Sequence, residues 1–93
     1  MLNVERRKMH IVRQGQTVES IARYYSVSAY LLVQENGLKE EPFEGQCLKI
    51  PDKVGNAYTV CEGDTKALLC GSEEGYREKN GTDVFYIGMR VIL

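Results

Sequence analysis

The spacing of hydrophobic residues predicts a strand followed by a helix near the start of the chain. Residues 10–13 form a short β-prone run that ends at a turn formed by Gln14 and Gly15. The apolar residues that follow recur every three or four positions, as on one face of a helix; they are Val18, Ile21, Ala22 and Tyr25. Thr17 precedes this stripe and is the predicted N-cap, and Glu19 lies where the helix dipole favours a carboxylate.

A second helix and a closing strand are predicted next. Ser28 is the expected N-cap of a helix through the apolar run 31–33, and Gly37 is expected to end it in the left-handed conformation. Leu48 and Ile50 are spaced by two, which predicts the inner face of a strand. The order is therefore strand, helix, helix, strand.

Three landmarks of this segment recur in the same order further along the chain, which indicates a duplication. They are residues 10–17, matched by 58–65; Asn36 and Gly37, matched by Asn80 and Gly81; and residues 44–50, matched more loosely by 87–93. The second copy is shorter in its middle. The predicted organisation is a tail (1–9), a first module (10–51), a linker (52–56) and a shortened second module (57–93).

The second copy follows the same plan with less apolar material. Its first helix is predicted from Thr65 to Cys70, and Ser72 is expected to cap a second helix whose main apolar residue is Tyr76. Alternation along its strands places four residues on the outer face: Thr59, Cys61, Arg90 and Ile92. The predicted fold class is α+β, with two tandem strand-helix-helix-strand modules that each contain a two-stranded antiparallel sheet.

Composition narrows the possible partners. The formal net charge is -1 and charged residues make up 27% of the chain, so a nucleic-acid or membrane-surface partner is not expected. The basic run 6–8 is interpreted as part of a solvated terminus. No apolar stretch reaches the roughly 18 residues of a membrane span. The first residues also lack the apolar block of a signal peptide, so synthesis in the cytoplasm is expected.

Cysteine and histidine usage gives no sign of a metal or cofactor. The three cysteines, Cys47, Cys61 and Cys70, are an odd number without a Cys-x-x-Cys pair, and His10 is the single histidine. Three free thiols are predicted, with Cys47 and Cys61 facing outward on strands and Cys70 in a core position of a helix.

No catalytic centre is predicted either. Glu40, Glu41 and Glu44 lie close together in one loop, but a glycosidase needs two carboxyl groups at the scissile bond, one of them with a pKa raised by burial. A module of this size can hardly bury one, so these are interpreted as solvated loop charges.

The first copy resembles the lysin motif (LysM), a peptidoglycan- and chitin-binding module of strand-helix-helix-strand form. The likeness rests on residues 14–22, Tyr25, Val27, Leu31, Leu32, 36–38 and 45–51. In the second copy it rests on residues 58–60, 63–65, 80–81 and 88–91. Two positions depart from the family pattern: Gln16 replaces the usual Asp, and Lys66 replaces an apolar residue.

The resemblance implies binding of N-acetylglucosamine polymers in a shallow groove between two loops. In the first copy the implied residues are Gly15, Gln16, Thr17 and Val18, facing Leu38, Lys39, Glu40, Pro42 and Phe43. In the second copy they are Gly63, Asp64, Thr65 and Lys66, facing Thr82, Asp83, Val84, Phe85 and Tyr86. The alternative for these loops is ordinary turn chemistry at helix ends.

A structural or protein-interaction module is the competing hypothesis, for example in a spore coat or cell-envelope assembly. An outward Cys61 and Ile92 on a small sheet would suit a contact with another chain or with a second copy of this one. The second copy is also predicted to be a structural partner of the first, making the contact through Phe85, Tyr86 and Ile92.

Overall fold

The order strand, helix, helix, strand occurs twice along the chain. The computed structural model describes residues 8–93, so most of the predicted tail, with Arg6 and Arg7 of the basic run, lies outside the described residues. The elements are β1 (Met9–Ile11), α1 (Val18–Tyr25), α2 (Ala29–Asn36), β2 (Cys47–Lys49), β3 (Ala57–Thr59), α3 (Lys66–Cys70), α4 (Glu73–Asn80) and β4 (Arg90–Ile92). We refer to residues 8–51 as the N-terminal half and to residues 57–93 as the C-terminal half.

Each half contains one antiparallel two-stranded sheet, which confirms an α+β fold. β1 pairs with β2, with His10 opposite Leu48, and β3 pairs with β4, with Tyr58 opposite Val91. The first strand is Met9–Ile11, slightly displaced from the predicted run 10–13.

Side-chain caps begin the helices where the sequence predicts them. The hydroxyl groups of Thr17, Ser28, Thr65 and Ser72 each accept a hydrogen bond from the backbone amide three residues later. Gly37 and Gly81 end α2 and α4 in the left-handed region, with φ of 60° and 68°. Capping alone therefore accounts for the boundaries of most helices.

The N-terminal half has the larger core. Its buried residues come from both helices, from β2 and from the segments beside the strands and helices: Val12, Ile21, Ala22, Val27, Leu32, Leu48 and Ile50. The core of the C-terminal half consists of Val60, Tyr76, Met89 and Val91. Tyr76 supplies much of it, and its hydroxyl group donates to the carbonyl oxygen of Val84 at 2.5 Å.

The last residue of the second helix is tied to the closing strand in the same way in both halves. The side chain of Asn36 accepts from the amide of Lys49 at 2.7 Å and donates to its carbonyl oxygen at 2.8 Å. Asn80 makes the equivalent pair with Ile92, at 2.8 and 3.0 Å. The repeated landmark of the sequence is thus a repeated hydrogen-bond bridge from helix to strand.

The two halves pack along a seam between α2 and α4. The buried Ser28 hydroxyl group donates to the carbonyl oxygen of Asn80 at 2.5 Å. Arg90 Nη1 donates to the carbonyl oxygen of Val27 at 3.2 Å, and the Gln34 side chain donates to the carbonyl oxygen of Gly81. These bonds satisfy helix-end groups of one half with partners from the other.

One outward position was predicted wrongly. Thr59 and Cys61 are exposed as expected and Arg90 is half-buried, but Ile92 is fully buried at 0% exposure. The linker covers it: a Cβ atom built on Gly55 would lie only 2.7 Å from Ile92 Cγ2. The predicted apolar docking surface with Ile92 at its centre is therefore absent from the described sheet.

The predicted contact between the halves is also only partly correct. Phe85 packs edge-on against Tyr76 of its own half, with ring centroids 5.3 Å apart, and Tyr86 is exposed. The contact is made instead by α2 and α4, because their polar termini can pair across the seam.

The three cysteines are free, and their placement agrees with the sequence. Cys47 and Cys61 are exposed and Cys70 is half-buried. Burial raises the pKa of the Cys70 thiol, against a smaller opposing effect of the Lys79 charge.

The seam can be tested by substituting the two glycines that end α2 and α4. Gly37→Ala should lower the free energy of unfolding by about 1–2 kcal/mol, because a residue with a Cβ atom is strained in the left-handed conformation. No further loss is expected, because nothing lies within 4 Å of the new Cβ atom. Gly81→Ala should cost a further 1–3 kcal/mol, roughly, because its Cβ atom would lie 2.8 Å from Leu31 Cγ across the seam. Urea unfolding measures both; equal losses would contradict the packing of α2 on α4.

Fragments test how far the halves depend on each other. We expect residues 1–56 to fold alone, because their core is complete. Residues 57–93 should be largely unfolded, because a chain of fewer than about 40 residues rarely supports a lone core and this one loses its seam partners. A well-dispersed NMR spectrum from residues 57–93 would contradict this expectation.

Candidate functional site

The first loop of the N-terminal half is held by Gln16. Its Oε1 atom accepts from the amide of Arg13 at 2.8 Å and lies 2.8 Å from Nε2 of His10. Because Oε1 can only accept, Nε2 carries a proton, and Nδ1 is hydrogen-bonded to the Tyr25 hydroxyl group at 2.8 Å. The Gln16 side chain therefore stabilises the turn. The turn forms although Gln16 stands where the family pattern has Asp.

Thr17 also has a structural duty. Its side chain accepts from the amide of Ser20, and the Ser20 hydroxyl group accepts from the amide of Thr17, which completes a capping box. The first loop therefore offers a ligand mainly its backbone groups and the half-buried side chain of Val18.

Glu41 connects the two loops of the predicted groove. Its Oε1 atom accepts from the amide of Val18 at 2.8 Å, at the first turn of α1. An amide at this position has no partner within the helix, and a carboxylate there is favoured by the helix dipole. The sequence analysis missed this role, since nothing in the loop itself shows which amide its carboxylates will reach.

A shallow depression of about 430 Å³ lies beside this contact. Its lining includes Leu38, Lys39, Glu40, Glu41, Phe43 and Gln46. Four of the predicted residues of the second loop are thus brought together, whereas Pro42 is buried and residues 15–18 of the first loop do not line the depression. Phe43 is the most accessible apolar side chain of the group, at 68% exposure.

The corresponding groove of the C-terminal half is partly filled by its own side chains. A depression of about 350 Å³ brings together Asp64, Thr65, Lys66 and Phe85 from the predicted set. The Lys66 ammonium group lies 5.5 Å from the centroid of the Tyr76 ring and 4.0 Å from the Glu73 carboxylate. The Lys66 side chain therefore lies in space that would be open to a ligand if an apolar residue stood at this position.

Other residues predicted for the second site have partners elsewhere. Asp83 pairs with Arg77 at 2.8 Å, and the Thr82 hydroxyl group accepts from the amide of Val84. Tyr86 faces a different cleft, between the two halves. Gly63 has a φ of 91° and serves the turn before Thr65.

Asp64 holds the first loop of the C-terminal half as Gln16 does in the N-terminal half. Its Oδ2 atom accepts from the amide of Cys61 and from the Tyr58 hydroxyl group, both at 2.7 Å. These two bonds lower the pKa of Asp64 below its ordinary value, and the same contact raises the pKa of Tyr58.

None of the helices in residues 8–93 is long and apolar enough to span a bilayer. Nor do the His, Cys, Asp and Glu side chains of that range form a group of three suited to a metal ion.

Removing the Asp64 charge should change the acid response of the protein. A carboxylate whose pKa is lowered by folding adds stability above its unfolded pKa, and this is lost as pH falls through the folded pKa. Stability should therefore decline below the ordinary value of 3.8, and Asp64→Asn should flatten that decline. Urea midpoints as a function of pH measure it, with Asp52→Asn as the control for loss of one charge; equal slopes in both variants would contradict it.

Comparison with known proteins gives a family for the N-terminal half. The sequence pattern of the LysM domain matches residues 10–51. No curated protein sequence matches the chain. Similar solved structures include the spore cortex-lytic enzyme SleL of Bacillus cereus, at 24% identity and a TM-score of 0.46. The enzyme of the same name from Bacillus megaterium QM B1551 is 25% identical, with a TM-score of 0.45.

These alignments cover 92% and 91% of this chain but only 22% of each enzyme, so the chain spans about a fifth of their length. LysM is a binding domain and not a catalytic one. Residues 10–51 of the chain are a LysM domain.

Proposed function

We propose that the protein binds glycans containing N-acetylglucosamine, of the peptidoglycan or chitin type, without acting on them. The observation that carries the proposal is the LysM domain at residues 10–51. The groove between its two loops, where Glu41 holds the amide of Val18, is the proposed binding site. A function at a cell wall or spore coat belongs to the same proposal.

The chemistry of this groove suits an uncharged sugar. Exposed backbone groups of the loop at Gly15 can pair with an acetamido group, and Lys39 and Glu40 offer hydrogen bonds to ring hydroxyl groups. Phe43 offers an apolar ring to the hydrophobic face of a sugar. Because Glu41 links the loops before any ligand arrives, little ordering is required on binding.

We further propose that the C-terminal half is a divergent LysM-like module that acts mainly as a structural partner. Its element order and its Asn80 bridge repeat those of the N-terminal half. Its core is smaller and Lys66 lies in its groove over the Tyr76 ring. A sugar in that groove would have to displace an ammonium group that already has an aromatic and an acidic neighbour.

An assembly contact is the second candidate function. The loop before β4 exposes three apolar side chains close together, those of Val84, Tyr86 and Ile87. Such a group is typical of surfaces that meet another protein. Self-association through this loop would raise the mass measured by light scattering without any glycan present.

An NMR titration with an N-acetylglucosamine oligomer tests the proposed function. We expect amides of residues 15–18 and 38–43 to shift, and Phe43→Ala to weaken binding by about tenfold, or ~1.4 kcal/mol. Leu68→Ala is the control, because Leu68 is an apolar side chain that is 75% exposed and lies on α3 of the C-terminal half. If saturating oligomer shifts none of these amides, the glycan proposal is wrong.

A further inference from the structure

A cleft of about 380 Å³ lies on the seam between the two halves. One wall is the first part of α2, with Ala29, Tyr30 and Val33, and the other holds Tyr86, Met89 and Arg90 of the C-terminal half. Its size is at the lower end of the roughly 300–1,000 Å³ typical of small-molecule sites. Because each half contributes one wall, the cleft exists only when both halves are packed together.

Two tyrosines give the cleft accessible aromatic surface. Tyr30 is 42% exposed and Tyr86 is 58% exposed, and they stand on opposite walls. Neither is needed for the cores, which are formed by other residues. A tyrosine combines an apolar ring with a polar hydroxyl group, and this suits a ligand with a ring and hydroxyl groups of its own.

Arg90 supplies an incompletely compensated positive charge. One of its nitrogens, Nη1, donates to the carbonyl oxygen of Val27, and among residues 8–93 no carboxylate forms an ion pair with it. Glu19 lines the same cleft but lies 3.6 Å from Nε of Arg23. Glu19 thus pairs with Arg23 and not with Arg90.

The direction of the pKa shift of Arg90 agrees with a positive charge that is incompletely compensated. Burial, and then the charge of Arg23, lower the pKa of Arg90, while Glu19 opposes them. A guanidinium in this position is stabilised by a ligand anion, and a carboxylate matches its planar donors.

We propose that the seam cleft is a second saccharide subsite, selective for a sugar unit that bears a carboxylate. Arg90 receives the carboxylate, and Tyr30 and Tyr86 contact the sugar ring. This inference rests on the proposed glycan binding and sharpens it: a peptide-free N-acetylmuramic acid unit carries a carboxylate on its lactyl group, whereas chitin has none. The protein would then favour chains with peptide-free N-acetylmuramic acid units over chitin-type chains, because only the acidic units can pair with Arg90.

The test compares two tetrasaccharides on the full chain by NMR: an N-acetylglucosamine tetramer, and a peptide-free tetramer alternating N-acetylglucosamine with N-acetylmuramic acid. Both should shift amides of residues 38–43, and only the acidic tetramer should also shift residues 29–33 and 86–90. Tyr86→Ala should weaken the acidic tetramer at least fivefold and leave the neutral one unchanged. Leu68→Ala, at an exposed position on α3, should change neither.

The outcomes separate this inference from the proposed function. Shifts at 38–43 with both tetramers and none at 86–90 would overturn the seam subsite alone. No shift at 38–43 with either tetramer would overturn the proposed function, and shifts at 86–90 with the acidic tetramer would then still support the subsite. Free lactate supplies the carboxylate without the sugar, so equal shifts at 86–90 with lactate would overturn the saccharide assignment. Arg90→Lys keeps the charge but not the planar donors, and should reduce the preference for the acidic tetramer while retaining a dispersed spectrum.

Discussion

The buried residue Asn80 holds three parts of the structure together at one point. Its side chain bridges the end of α4 to both backbone groups of Ile92, and its carbonyl oxygen accepts the hydroxyl group of Ser28 across the seam. A buried polar group left without a partner costs about 1–3 kcal/mol. Closure of the C-terminal half and its attachment to the N-terminal half are therefore coupled through one residue, and the seam cleft depends on both.

The two grooves show how one loop framework can lead to different surfaces. Gln16 and Asp64 hold their turns through equivalent bonds to the amide three residues earlier. The residue that follows the N-cap threonine differs between the halves. The amide of Val18 donates to a carboxylate from the opposite loop, whereas the side chain of Lys66 lies across the groove over an aromatic ring. Charge placement, more than backbone geometry, distinguishes the open groove from the occupied one.

The unequal cores support the proposal that the two halves have different roles. The N-terminal half buries apolar residues from all four of its elements or the turns beside them, so its loops are free to present a ligand surface. The C-terminal half relies on Tyr76 and on the linker over Ile92, and it gains further stability from α2. The C-terminal half in turn forms one wall of the seam cleft, with Tyr86 and Arg90.

Local signals in the sequence were enough to predict the helix caps, the glycines that end α2 and α4 and the exposure of Cys47 and Cys61, because each depends on residues a few positions apart. The burial of Ile92, the bond from Val18 to Glu41 and the orientation of Phe85 could not be predicted in this way. Each depends on which distant groups meet once the chain has folded. The alternation of residues along a strand and the charges along a loop do not indicate those partners.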